Sequence, residues 1–420
     1  QFRGFSTAQL QQFSTAQVGS IGSAAIVGLS TVQVDALSTT QLAALNSVNI
    51  RGLSSAQLGA IATAKITALE TVDVFALSSL QITGLSEGQI LQMNAGQISA
   101  FSAAAVKGLV TAQIAALGTG KVSALESVDI AALLSAQLRG FSTAQFAQFG
   151  SSQLAAIGSA AASGLTTAQI DSFDASKLQA LSSAAFRGLS DVQLQSISTA
   201  KITAIESVDL AALTSIQISS FSSNQIAQLT GSQLPGLNVA NIKGLSQAQT
   251  GALTNDQLQS LSASQFSAMS VAQLQGITPS RMSSIDAGDI GALSSIQLNA
   301  LSTAQFAQLT GVQLQAIASA KIATLELTDV AALGTSQLRD LNASQVKALT
   351  AAQLKVLHTT QAASLTTAQI AAGSLLFTPT QLSGLTANQT SALYYSPLVF
   401  DLDGNGIRTL SVDRGVRFDL

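Results

Sequence analysis

Apolar positions recur along this chain in closely spaced sets divided by short polar runs, and the spacing repeats every eight residues. The unit reads L-S-T-A-Q-I-x-A: Leu or Phe opens it, Ser or Thr follows, Ile, Leu or Val comes after a glutamine, and Ala, Gly or Ser closes it. Gln9, Gln17, Gln33, Gln41, Gln57, Gln81, Gln89, Gln97 and Gln113 share one column, and Gln137, Gln145, Gln153, Gln169, Gln193 and Gln217 continue it in a register that holds to Gln369. One continuous helix cannot carry this pattern, because two helical turns take about 7.2 residues and the apolar stripe would drift around the axis. Each octad must therefore turn. Ser or Thr followed three residues later by Gln is a capping box, in which the hydroxyl accepts the third-residue N–H and the Gln side chain reaches back to the cap N–H. Thr278-Pro279 and Thr378-Pro379 place proline just after such a cap, where its missing N–H costs nothing.

The pattern therefore predicts one very short helix per octad. The residue after Gln and the closing Leu fall on one side to fill a core, and small residues opposite let a neighbouring helix approach. Piled octads give an all-α solenoid, or superhelix of short helices, in which each unit touches mainly its neighbours. The alternative is a β-solenoid with one short strand per octad, which the Ile and Val after Gln and the frequent Ser, Thr and Gly fit in part. Pro235 sits mid-octad and disfavours an unbroken helix there. A longer period of ten octads overlies the short one, since residues 121–160, 201–240 and 281–320 resemble one another. The register slips by four between Gln369 and Gln381, where AAGSLLF fills the gap, and the repeat stops after Leu393. The expected domains are an octapeptide solenoid over 1–393 and the start of a calcium-binding module, cut short, over 394–420.

Composition narrows the partners. Charged residues are 9% and the formal net charge is −3, so no basic patch is available for nucleic acid. The mean hydropathy is +0.40, yet Ser, Thr, Gln or Gly breaks each apolar stretch short of the ~18 residues of a spanning helix, so no membrane insertion is expected. Cysteine is absent, which excludes disulfides and thiolate metal sites. The first residues already lie inside the repeat, with no basic-then-apolar signal ahead of them, so export is expected to use no N-terminal signal or one outside this chain.

The glutamine column changes character at recurring places. Lys65 precedes Asp73 by one octad, and Lys121 with Asp129, Lys201 with Asp209, Arg281 with Asp289 and Lys321 with Asp329 repeat the arrangement. With Glu70, Glu126, Glu206, Asp286 and Glu326 at the neighbouring caps, these read as charge pairs replacing two glutamines, with ligand or ion sites as the alternative. His358 is the only histidine, so an imidazole pair or a metal cluster built on two is excluded, and catalysis is not expected.

The last segment differs. Asp401-Leu402-Asp403-Gly404-Asn405-Gly406-Ile407 supplies oxygen side chains at positions one, three and five of a calcium loop, a glycine at six and a backbone carbonyl at seven. Position twelve is Val412, so the site is incomplete or closes through Asp413 or Thr409. The expected metal ligands are Asp401, Asp403, Asn405, Ile407 and Asp413, and the expected cofactor is calcium. The stretch SPLVFDLDGNGIRTLSVDRGVRFDL resembles a segment of large calcium-binding bacterial proteins of the repeats-in-toxin class. That resemblance covers about the last 25 residues. It implies export by type I secretion and a continuation through Asp/Gly-rich nonapeptides to an export signal, which makes this chain read as a fragment. The expected role is a non-enzymatic extracellular scaffold, a stalk or filament of a bacterial surface or secreted protein, with self-association or cell-surface and glycan contacts. The alternative is a module binding a repetitive ligand such as glycan or ice.

Overall fold

The computed structural model of the protein describes residues 2–373 and 375–394. Among these residues every regular element is helical: 44 α-helical segments of four to eight residues and five 3₁₀ segments, with no strand. The all-α solenoid is the observed class, and the β-solenoid alternative is overturned.

An octad makes a helix and a turn from eight residues by spending two of them in extended conformation. Between the helices Ser47–Gly52 and Ser55–Ala60, Leu53 (ψ 137°) and Ser54 (ψ 162°) are both extended. Ser54 then starts the next helix, its Oγ accepting from the Gln57 N–H. Helices this short are unstable alone, since isolated helices below ~12–15 residues are marginal in water, so their stability comes from stacking. Each packs on the helix three octads away: Ser159–Ala162 lies against Ser183–Gly188, and Ala287–Ala292 against Gly311–Ala316. The chain divides between Ala252 and Leu253 into two compact units, and the rule holds within each.

The core is the predicted pair of columns. The residue after Gln and the closing Leu are both sealed off, as in Ile82 and Leu85 or Leu314 and Ile317. Each such side chain contributes roughly 1.5–3 kcal/mol on burial. The small residue before the Leu is needed where turns of the solenoid touch: a Cβ on Gly108, Gly164 or Gly188 would collide with the carbonyl oxygen of Ser79, Ser135 or Ser159. The residue before Gln points outward, and where it is aliphatic it is left in solvent, as at Leu80, Ile216 and Ile296.

Pro235 lies in a single 3₁₀ turn, Leu234–Gly236, in place of an α-helix, as its mid-octad position required. Pro379 opens the helix Pro379–Leu382 behind a Thr378 cap, whereas Pro279 opens the 3₁₀ segment Pro279–Ser284 with no side-chain cap bond from Thr278. The slip after Gln369 is a compressed octad. Gln369 bonds to carbonyls 31 and 28 residues back, but Gln381 bonds to Leu354 and Leu357, which are 27 and 24 back, so the intervening unit has lost four residues and its helix. Leu375 still fills the core there while Leu376 is exposed.

Candidate functional site

A helix of four to six residues leaves nearly all its N–H and C=O groups without helical partners. Buried unpaired, each would cost roughly 1–3 kcal/mol. The glutamine column serves both sets at once. In the octad of Gln113, the Val110 N–H donates to Gln113 Oε1 at 2.9 Å. The same amide's Nε2 donates to the carbonyls of Ile82 (2.8 Å) and Leu85 (2.7 Å), where an earlier helix ends on the turn beneath. Gln345 does the same between the Asn342 N–H (3.0 Å) and the carbonyls of Leu314 and Ile317 (both 2.7 Å), and it is fully buried. The amide thus starts one helix and ends another 28–31 residues earlier, so a turn of the solenoid closes in between three and four octads.

The capping-box pattern predicts the accepting half of this device and not the donating half. The signal was available: a capping box needs only an acceptor, for which Glu serves as well as Gln, yet Glu occurs nowhere in the column. Of the two, only the Gln amide carries donor and acceptor together.

The charged replacements split those two functions. Lys65, Lys121, Lys201, Arg281 and Lys321 keep the donor: Lys321 Nζ donates to the carbonyls of Gly291 (2.7 Å) and Leu293 (2.6 Å), Arg281 Nη1 to Leu253 (2.6 Å), Lys65 to Asp35 and Leu37, Lys121 to Leu91, and Lys201 to Asp171. Their caps Ala62, Gly118, Ser198, Thr278 and Ala318 accept no N–H through a side chain, the Ala62 N–H being served instead by Asp35 Oδ1 at 2.7 Å, and three of the five segments tighten to 3₁₀. Gly118 takes a positive φ of 65° at its cap.

An aspartate offers only the acceptor, as where the Glu126 N–H donates to Asp129 Oδ2 at 3.0 Å. The expected pairing of each Lys with the Asp one octad on is corrected here. Lys65 pairs instead with Asp35 (3.6 Å) and Lys201 with Asp171 (3.4 Å), while both oxygens of Asp73 lack a hydrogen-bond partner. The reason is geometric: consecutive octads lie side by side around a turn, and the column reaches across to the turn beneath. Burial pushes the carboxyls of Asp73, Asp129 and Asp289 up to about 6, with the adjoining Glu70, Glu126 and Asp286 charges adding to the rise, and burial raises Asp209 and Asp329 also. Burial lowers Lys121.

His358 is an exposed cap residue whose backbone N–H donates to Gln361 Oε1 at 2.6 Å. One surface groove, about 460 Å³, is lined by Arg51, Ser54, Ser55 and Ser78 among others, and Ser54 and Ser78 are themselves engaged as caps. Among the described residues no three acidic or imidazole groups converge to hold a metal ion, and no helix is long and apolar enough to cross a membrane. The predicted calcium ligands Asp401, Asp403, Asn405, Ile407 and Asp413 lie outside the described residues.

Four stretches, residues 19–47, 122–158, 202–239 and 322–359, match the ALTTAQ repeat family. The second and third fall within two of the blocks that the ten-octad period marks out. Comparison with curated proteins gave no match. The chain is a repeat protein with a helical solenoid architecture.

Proposed function

We propose that this repeat protein is a non-enzymatic scaffold of a bacterial surface or secreted protein, which spaces or presents neighbouring domains and contributes to adhesion. The observation that supports this reading is where the polar chemistry goes: Gln, Ser and Thr, abundant enough to suggest reactivity, are consumed in capping helices and tying turns together, as in Gln145, whose amide bonds Ser142 at one end and the Ile114 carbonyl at the other. A framework so internally satisfied is suited to bearing load. The exposed aliphatic residues before Gln, among them Val32, Ile216 and Val312, give its outer face sites for self-association. They also interrupt any flat lattice of hydroxyls, which counts against recognition of ice or a repetitive glycan. Antibody raised against the array should label intact cells, and cells lacking the array should attach less; labelling only after lysis would overturn the reading.

The same proposal gives the 394–420 segment a calcium site built on Asp401, Asp403, Asn405, Ile407 and Asp413, loaded outside the cell where calcium is abundant. Calorimetric titration of the whole chain with calcium chloride should give a binding isotherm that Asp401→Asn with Asp403→Asn abolishes.

A further inference from the structure

Five octads carry a buried aspartate in the glutamine column, each three residues after an acidic cap: Glu70 and Asp73, Glu126 and Asp129, Glu206 and Asp209, Asp286 and Asp289, Glu326 and Asp329. Each aspartate is at most 5% exposed. Each has at least one buried oxygen without a hydrogen-bond partner: both oxygens of Asp73, Oδ1 of Asp129, and Oδ2 of Asp209, Asp289 and Asp329.

Two asparagines in the same column show where such an oxygen points. Asn241 Nδ2 donates to the Leu213 carbonyl at 2.7 Å, and Asn49 Nδ2 donates to the Ile21 carbonyl, each 28 residues back. Asparagine and aspartic acid have the same shape. At the aspartates the carbonyls 28 residues back belong to Leu45, Phe101, Leu181, Leu261 and Leu301. An ionised carboxylate in the asparagine position would set two acceptors against each other in a site closed to water. A carboxyl bearing its proton would instead make a short O–H···O bond there.

We propose that the five buried aspartates act as protonated acids that replace the glutamine amide, each donating its carboxyl proton to the backbone carbonyl 28 residues earlier, so that the array tightens in acid and loosens as the pH rises.

The charges around these groups are consistent with that state. Elements packed on or next to them carry Arg51 and Lys65 for Asp73, Lys107 and Lys121 for Asp129, Arg187 and Lys201 for Asp209, Arg281 for Asp289, and Lys321 and Lys355 for Asp329. Lys65, Lys121, Lys201, Arg281 and Lys321 donate to main-chain carbonyls, and the nearest carboxyl to each aspartate is its own acidic cap. The sign follows from the folded carboxyls lying above the ordinary value of 3.8, at about 6 for Asp73, Asp129 and Asp289. Such groups bind more protons folded than unfolded between those values. Their contribution is fully present below the unfolded value and is lost as the pH rises through about 6.

The test compares the whole chain with a variant carrying Asp→Asn at positions 73, 129, 209, 289 and 329. The melting temperature of the unaltered protein should fall by roughly 5 °C or more between pH 5 and pH 8, and the variant should hold its acid value throughout. Every other titratable group is present in both proteins, so the difference isolates the aspartates. Infrared spectra of the unaltered protein should show a protonated-carboxyl band at pH 5 that fades by pH 8, and Asp73→Asn alone should diminish it. A melting temperature that falls equally in both proteins, or no protonated-carboxyl band at pH 5, would overturn the proposal. So would a rise in melting temperature on adding calcium chloride at pH 8 that the five-fold variant lacks, because a cation and not a proton would then fill the gap.

Discussion

Octads built on glutamine and octads built on charge occupy the same column of the same solenoid, yet they satisfy the backbone in different ways. Gln345 closes an N-cap and two carbonyls with one neutral amide. The pair Lys321 and Asp329 divides that work: Lys321 reaches two carbonyls but leaves its Ala318 cap unserved, and Asp329 keeps a buried oxygen without a partner. The column therefore selects for a side chain that donates and accepts at once, and the charged octads depart from that optimum. A departure repeated five times with the same acidic cap is a feature of the array and not an isolated substitution.

The sharpest way to break this comparison is to remove one amide. Gln345→Ala leaves the Asn342 N–H and the Leu314 and Ile317 carbonyls buried without their partner. The expected loss is about 3 kcal/mol. Because solenoid units couple mainly to neighbours, hydrogen exchange should register it locally, as a roughly hundredfold fall in protection around residues 314–317 and 342–346. A loss below half a kilocalorie would mean that the amide is incidental to the stack.

Restoring an amide should act in the other direction. Lys321→Gln keeps the bonds to the Gly291 and Leu293 carbonyls and returns an acceptor to the Ala318 N–H. A gain of about 1 kcal/mol is expected, read as increased protection of that octad. No gain would mean that the tightened segments at the cationic octads already satisfy their caps by other means.

Much of this was legible in the sequence. The eight-residue period excluded a continuous helix, and the capping box located the start of the helices that carry it to the residue, as Ser30 with Gln33 and Thr366 with Gln369 bear out. The core columns followed from the same spacing. Less legible was anything that depends on which octads meet: the Gln donor bonds, the reach of Lys65 to Asp35, and the solitary Asp73 carboxyl are contacts between residues about 30 apart. A one-dimensional repeat gives the unit but not the number of units per turn, so Lys and Asp looked like neighbours because they are one octad apart. The nature of the slip near Gln381 was illegible for a related reason. Counting residues gives a shift of four, whereas the hydrogen-bond partners identify a compressed unit.

The smallest expected effect bears on which half of the capping box matters. Ser142 Oγ accepts from the Gln145 N–H at 3.1 Å, and the Ser142 N–H donates to Gln145 Oε1 at 2.7 Å. Several octads lack the hydroxyl and keep the second bond: the Gly150, Leu134 and Gly334 N–H groups donate to Gln153, Gln137 and Gln337 at 2.9, 2.8 and 2.7 Å. Those caps are extended like the others, so the backbone can turn without a hydroxyl. Ser142→Ala should therefore cost about 1 kcal/mol or less, several times less than Gln345→Ala, by hydrogen exchange of the segment 143–146. The exposed position of the hydroxyl explains the difference, since water can replace it at the Gln145 N–H. Nothing outside the protein reaches the Leu314 and Ile317 carbonyls, and an Ser142→Ala cost equal to the Gln345→Ala cost would show that the serine, and not the glutamine, holds each turn in place.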